Sequence, residues 1–136
     1  MLAVLIGAGL AAPFLLIAWR TGLGREKAFY ATLMMAIAFF YPVFAIGTDL
    51  ATLVINAAIA AGFIAAAFYG YARRPWILPA ALAAHALFDI LVAQAGSPAP
   101  EWWAGLCIGV DLLLALGAAL AISPEREHRQ SWRPSR

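Results

Sequence analysis

Five apolar stretches, each near the length that crosses a lipid bilayer, account for almost the whole chain, and charged or turn-forming residues separate them. A helix rising about 1.5 Å per residue needs roughly 20 residues for a hydrocarbon core of ~30 Å. The runs extend from about Leu2 to Ala18, Ala28 to Gly47, Leu50 to Tyr71, Trp76 to Ala95 and Glu101 to Ile122. Each ends at recognisable punctuation: Trp19-Arg20, Thr48-Asp49, Arg73-Arg74-Pro75, the breaker Gly96-Ser97-Pro98-Ala99-Pro100, and Ser123-Pro124. With 65% of its 136 residues hydrophobic and 12% charged, a water-soluble domain of this size has nowhere to hide its apolar surface. The expected fold class is therefore an all-α integral membrane protein, a compact bundle of five transmembrane helices over residues 1–122. A polar, basic tail at 123–136 follows.

The charges orient this bundle. The first loop carries Arg20, Arg25 and Lys27, the third Arg73 and Arg74, and the tail Arg126, Arg129, Arg133 and Arg136. The second and fourth connections carry only Asp49 and Glu101. Basic loops stay cytoplasmic, so the alternation places the N-terminus outside and the C-terminus inside. A four-span arrangement, with the first segment lying on the surface, is the alternative. The location expected is a cell membrane crossed several times, a bacterial inner membrane. Membrane lipids are the expected partners of the basic loops. Short loops and a tail form no basic folded face, which argues against nucleic acid. The first residues lack a basic stretch, so the first segment reads as a span and not a cleaved signal. Cys107 is the sole cysteine and excludes an intrachain disulfide.

Pro42 interrupts the second segment and predicts a kink there. Gly105 and Gly109, four apart, form a small-residue stripe of the kind that lets membrane helices approach closely. It is a candidate seat for a second copy in a homo-oligomer. No internal repeat is visible, which weighs against a duplicated transporter architecture.

Ionisable side chains at mid-bilayer are expensive, about 2.5–3.5 kcal/mol each on insertion scales, and so mark candidate sites. His85 lies nine residues past Trp76 and Asp111 ten past Glu101, roughly 14 and 15 Å into the membrane from opposite faces. Asp89 follows His85 by one turn on the same helix face. Trp103, Cys107 and Asp111 form a second stripe, on the side of their helix away from Gly105 and Gly109. The last two spans are joined by a short loop and are expected to be antiparallel neighbours, with His85 facing Asp111. On the second span, Glu26, Tyr30, Met34, Ile37 and Tyr41 fall within about 80° of one another. Asn56 and Asp49 lie towards the outer side. The pattern predicts a polar interior starting near the midplane and opening outward. Its expected binding residues are Tyr41, Asn56, Trp103, Cys107, Glu26 and Tyr30.

Blander roles compete for several of these residues. Trp19, Trp76, Trp102 and Trp103 suit interface anchors, Glu26 a loop ion pair, and Cys107 small-residue packing. For His85, Asp89 and Asp111 together, packing alone requires less polarity than is present.

Three chemistries fit the trio. Proton exchange could be linked to binding or carrying a small solute or cation. An intramembrane enzyme could use His85 as general acid or base on a lipid or other hydrophobic substrate, in a proton-shuffling or isomerase-type reaction. No mid-membrane serine offers a nucleophile, and a neighbouring carboxylate would not activate Cys107. A divalent metal could take His85, Asp89 and Asp111, with Cys107 in reserve. Haem is disfavoured, since there is one intramembrane histidine and only Met34 or Met35 to complement it. A structural or accessory subunit, held together by the same polar groups, is the remaining reading.

Overall fold

A computed structural model describes residues 1–122, so the 123–136 tail lies outside the described residues. The described chain is helical and contains no strand. Helix α1 spans Leu2–Thr21, and a single 3₁₀ turn, Leu23–Arg25, leads into α2, Lys27–Ala38. The short α3 follows at Phe40–Phe44, then α4 at Leu50–Ala72, α5 at Ile77–Ala95 and α6 at Glu101–Ile122. Taking α2 and α3 as one, five helices among the described residues are long and apolar enough to span a membrane.

The distribution of side chains is inverted relative to a water-soluble bundle. Large apolar residues such as Leu5, Ile17, Val54, Ile55, Leu91 and Leu116 point outward and are exposed, whereas three ionisable side chains, His85, Asp89 and Asp111, are buried. Helices apolar on all sides match lipid, not water, as surroundings.

Two departures from the sequence expectation have local causes. The first helix continues through Trp19 and Arg20 to Thr21, whose hydroxyl donates to the carbonyls of Ile17 and Ala18. Gly22, at φ 90°, then closes it. In the second span the helix breaks after Ala38 and ends at Phe44 rather than Gly47. Pro42 lacks an N–H, and its ring crowds the carbonyl four residues earlier, which is that of Ala38. The chain re-forms as α3 and turns at Gly47, with φ 91°. Asp49 then caps α4 by accepting from the Thr52 amide at 3.0 Å and the Thr52 hydroxyl at 2.6 Å.

Helix α6 lies between α1 and α5, α4 lies against α5 and α2, and α2 also reaches α5 and α6. The core is built mainly from α2, α5 and α6 around Tyr30, Met34, Leu78, Leu82 and Leu114, with Ala60 and Ala67 from α4. At one end of the bundle, Lys27 Nζ sits 4.9 Å from the centre of the Tyr71 ring, tying the start of α2 to the end of α4.

The glycine stripe has an intramolecular use. A side chain at Gly109 would run into the Val4 carbonyl and come within 2.7 Å of the Ala8 amide, and one at Gly105 would lie 3.0 Å from Ala3 Cβ. Reciprocally, a Cβ at Gly7 would collide with the Leu106 carbonyl. The stripe expected to receive a second copy is thus occupied by α1 of the same chain. Backbone-to-backbone approach through small residues is how membrane helices pack without a hydrophobic driving force between them.

Candidate functional site

Three helices bring four polar side chains to one buried point. His85 and Asp89 project from α5 one turn apart, Asp111 from α6, and Tyr41 from α3 just beyond the break at Ala38. His85 is 1% exposed, and Asp89 and Asp111 are 0% exposed. His85 Nδ1 and Asp111 Oδ2 share a hydrogen bond at 2.8 Å, and the same nitrogen stands 3.5 Å from Asp89 Oδ2. The Tyr41 hydroxyl donates to Asp89 Oδ1 at 2.7 Å. One imidazole nitrogen thus faces two carboxyl groups, and one phenol closes the far side.

The polar groups are only partly satisfied. Asp89 Oδ2 and Asp111 Oδ1 are buried without a hydrogen-bond partner. Buried carboxylate oxygens normally accept bonds, and leaving one bare costs about 1–3 kcal/mol or more. One ligand atom each from His85, Asp89 and Asp111 lies within 4.8 Å of the others, a spread a small cation could draw together with bonds of about 2.0–2.2 Å.

Aromatic rings wall the cluster. Phe63 of α4 meets the His85 ring edge-on at 4.9 Å, and Phe88 lies 5.7 Å from it and 5.2 Å from Tyr41. Phe88, three residues after His85, was available from helical spacing. Phe63 carried no sequence signal, because the stretch of α4 around it, residues 57–68, is apolar throughout.

The other expected residues divide. Cys107 is buried one turn before Asp111 on the same helix, with a free thiol. Trp103, a further turn away, is half-buried and packs edge-on against Phe40 and Phe44 at 4.9 and 5.0 Å, so it joins α6 to α3. Its Nε1 is buried without a hydrogen-bond partner. Glu26, Tyr30 and Asn56 do not join the cluster. Glu26 is exposed at the cap position of α2. The Tyr30 hydroxyl donates to the Gly24 carbonyl at 2.8 Å and accepts from Trp19 Nε1 at 3.1 Å, pinning the first loop at the opposite end of α2 from Tyr41. Asn56 donates to the Thr52 carbonyl of its own helix at 2.8 Å. A shared stripe on a helical wheel did not suffice, because that stripe runs the length of a span and only its far end meets His85. The interior is also enclosed at the cluster where the sequence pattern led us to expect an outward opening.

Outside the cluster, a groove of ≈ 510 Å³ runs between α4 and α5, lined by apolar residues including Gly62, Phe63, Trp76 and Ala84. Phe63 therefore has one face on this groove and its ring against His85. Compared with protein-family models, curated proteins and solved structures, the chain finds no match.

Proposed function

We propose that the chain is a multi-pass membrane protein, N-terminus outside and C-terminus in the cytoplasm of a bacterial inner membrane. In this reading the His85–Asp89–Asp111 cluster binds or carries a small solute or cation in exchange for protons. The observation that carries it is the pair of buried carboxylate oxygens that accept no hydrogen bond, Asp89 Oδ2 and Asp111 Oδ1, beside a single imidazole nitrogen. Two ionised carboxylates with one imidazolium leave a net negative charge in a low-dielectric interior, an expensive state unless a proton or another cation balances it. Removing a proton therefore favours entry of a cation, and the reverse. Tyr41 holds one carboxylate from behind and leaves the other oxygen of Asp89 to the ligand.

A second reading, acid–base catalysis on a hydrophobic substrate, draws support from the apolar groove that reaches Phe63, a ring away from His85. His85 would move the proton, and Asp111, bonded to its Nδ1, would orient the ring.

The test uses the purified protein in lipid vesicles with a pH dye inside. Under an imposed pH gradient, addition of Na⁺, K⁺ or Mn²⁺ is expected to accelerate proton movement in the native protein. Asp111→Asn and His85→Gln proteins of unchanged size and helicity are expected to lose that response. If no cation alters proton movement and both variants fail to assemble, the cluster is structural and the proposal is wrong.

A further inference from the structure

The groove between α4 and α5 is separate from the polar cluster, and its reading does not depend on the function proposed for that cluster. It is bounded by Ile59, Gly62, Phe63 and Ala66 on one helix and by residues from Trp76 to Ala84 on the other. Every side chain in it is apolar or lacks polar atoms, apart from the indole of Trp76. Gly62 supplies its open floor, since a Cβ there would meet no atom within 4 Å. From Trp76 to Ala84 the groove extends eight residues, about 12 Å along the helix axis. Half of a ~30 Å hydrocarbon core is about 15 Å. The groove thus runs from one membrane surface almost to the midplane, the reach of one leaflet's acyl chain.

The charge at its mouth is one-sided. Arg73 and Arg74 immediately precede the Pro75-Trp76 turn, both are exposed, and among the described residues neither forms an ion pair. The Lys27–Tyr71 contact brings the first loop to the same end, where Arg20, Arg25 and Lys27 add positive charge against the single carboxylate of Glu26. An apolar slot one leaflet deep, with guanidinium groups at headgroup height, matches an amphiphile with one apolar tail in the slot and an anionic phosphate outside it.

We propose that this groove is a binding seat for an anionic phospholipid, with an acyl chain lying along Gly62 and Phe63 and the headgroup phosphate held by Arg73 and Arg74. A zwitterionic lipid such as phosphatidylcholine lends its tail and a phosphate, but its choline ammonium offsets the negative charge that the two guanidinium groups select.

The experiment is native mass spectrometry of the full chain in a mild neutral detergent, titrated with phosphatidylglycerol or phosphatidylcholine of identical chains. The native protein is expected to retain phosphatidylglycerol about tenfold more tightly. The Arg73→Gln/Arg74→Gln double variant is expected to bring the two lipids within about twofold of each other. Gly62→Leu fills the groove from a position with free space, so the fold survives. It is expected to weaken retention of both lipids while leaving the helical signal intact. Equal retention of the two lipids by the native protein, or a preference that survives loss of both arginines, would overturn the proposal. So would a Gly62→Leu protein that keeps its lipids, or one that changes from oligomer to monomer, which would mark the groove as the seat of a second copy.

Discussion

Replacing Tyr41 with Phe deletes one oxygen atom from the wall of the polar cluster and leaves the ring where it packs, 5.2 Å edge-on to Phe88. The atom removed is the 2.7 Å donor to Asp89 Oδ1. Asp89 is 0% exposed, and its other oxygen has no hydrogen bond, so the substitution removes the one hydrogen bond its carboxyl group makes. Two magnitudes compete. An average side-chain hydrogen bond between membrane helices is worth about 0.6 kcal/mol, with a maximum near 1.7. A bond to an ionised group is worth about 1.5–3 kcal/mol. For an ionised Asp89, whose other polar neighbour is His85 Nδ1 at 3.5 Å, we expect a loss of about 2 kcal/mol, roughly 30-fold in the folding constant. Reversible unfolding in mixed micelles measures it, on Tyr41→Phe, Asp89→Asn and the double variant. The double-mutant cycle isolates the pairwise term. The cost of Tyr41→Phe should fall to about 0.6 kcal/mol or less in the Asp89→Asn background. An equal, small cost in both backgrounds would mean that the aspartate is an uncharged tether between helices, and the charge argument for the site would collapse.

Three further outcomes are expected. Gly109→Leu drives a side chain into the backbone of α1 at Val4 and Ala8, and should cost at least about 1–3 kcal/mol and loosen α1, read as faster protease cleavage near the N-terminus. Leu112→Ala, on the exposed side of the same helix, should leave that cleavage unchanged. Trp19→Phe removes the indole N–H that bonds Tyr30 and should raise amide exchange in the Leu23–Arg25 turn without altering proton movement in vesicles. The hydrogen bonds from the Thr52 hydroxyl and amide hold the Asp49 carboxyl below the usual carboxylate range. A depressed folded-state value means that the cap is fully present above the ordinary carboxylate pKa and is lost as pH falls through the lower value. Exchange at the Thr52 amide should stay slow through mildly acidic pH and quicken only below it, and Asp49→Ala should abolish this dependence.

The fold was legible because five runs have the length and apolar composition of a membrane span, and loop punctuation marks their ends. Asp89 and Asp111 stood out for the same reason: a carboxylate inside an apolar run has few explanations. The pairing of His85 with Asp111 followed from depth on two antiparallel neighbours, and depth is countable at 1.5 Å per residue. What spacing could not give was the rotation of the second span beyond Ala38. The helix break resets the register there, so Tyr41 reaches Asp89 while Tyr30, on the same stripe, serves the opposite end. Phe63 was invisible because residues 57–68 around it on α4 are all apolar, and only packing selects the ring that touches His85. The destination of Gly105 and Gly109 was likewise undecidable, since a small-residue stripe accepts a helix from its own chain as readily as from another.

The measurement that bears most directly on the central claim is solid-state NMR of the chain in lipid bilayers, with ¹⁵N-labelled histidine and ¹³C-labelled aspartate. The 2.8 Å bond requires a strong through-space correlation between His85 Nδ1 and the Asp111 carboxyl carbon, a weaker one to Asp89, and none from the His85 ring to acyl-chain protons. A His85 ring that correlates with lipid tails and with neither carboxyl carbon would contradict it.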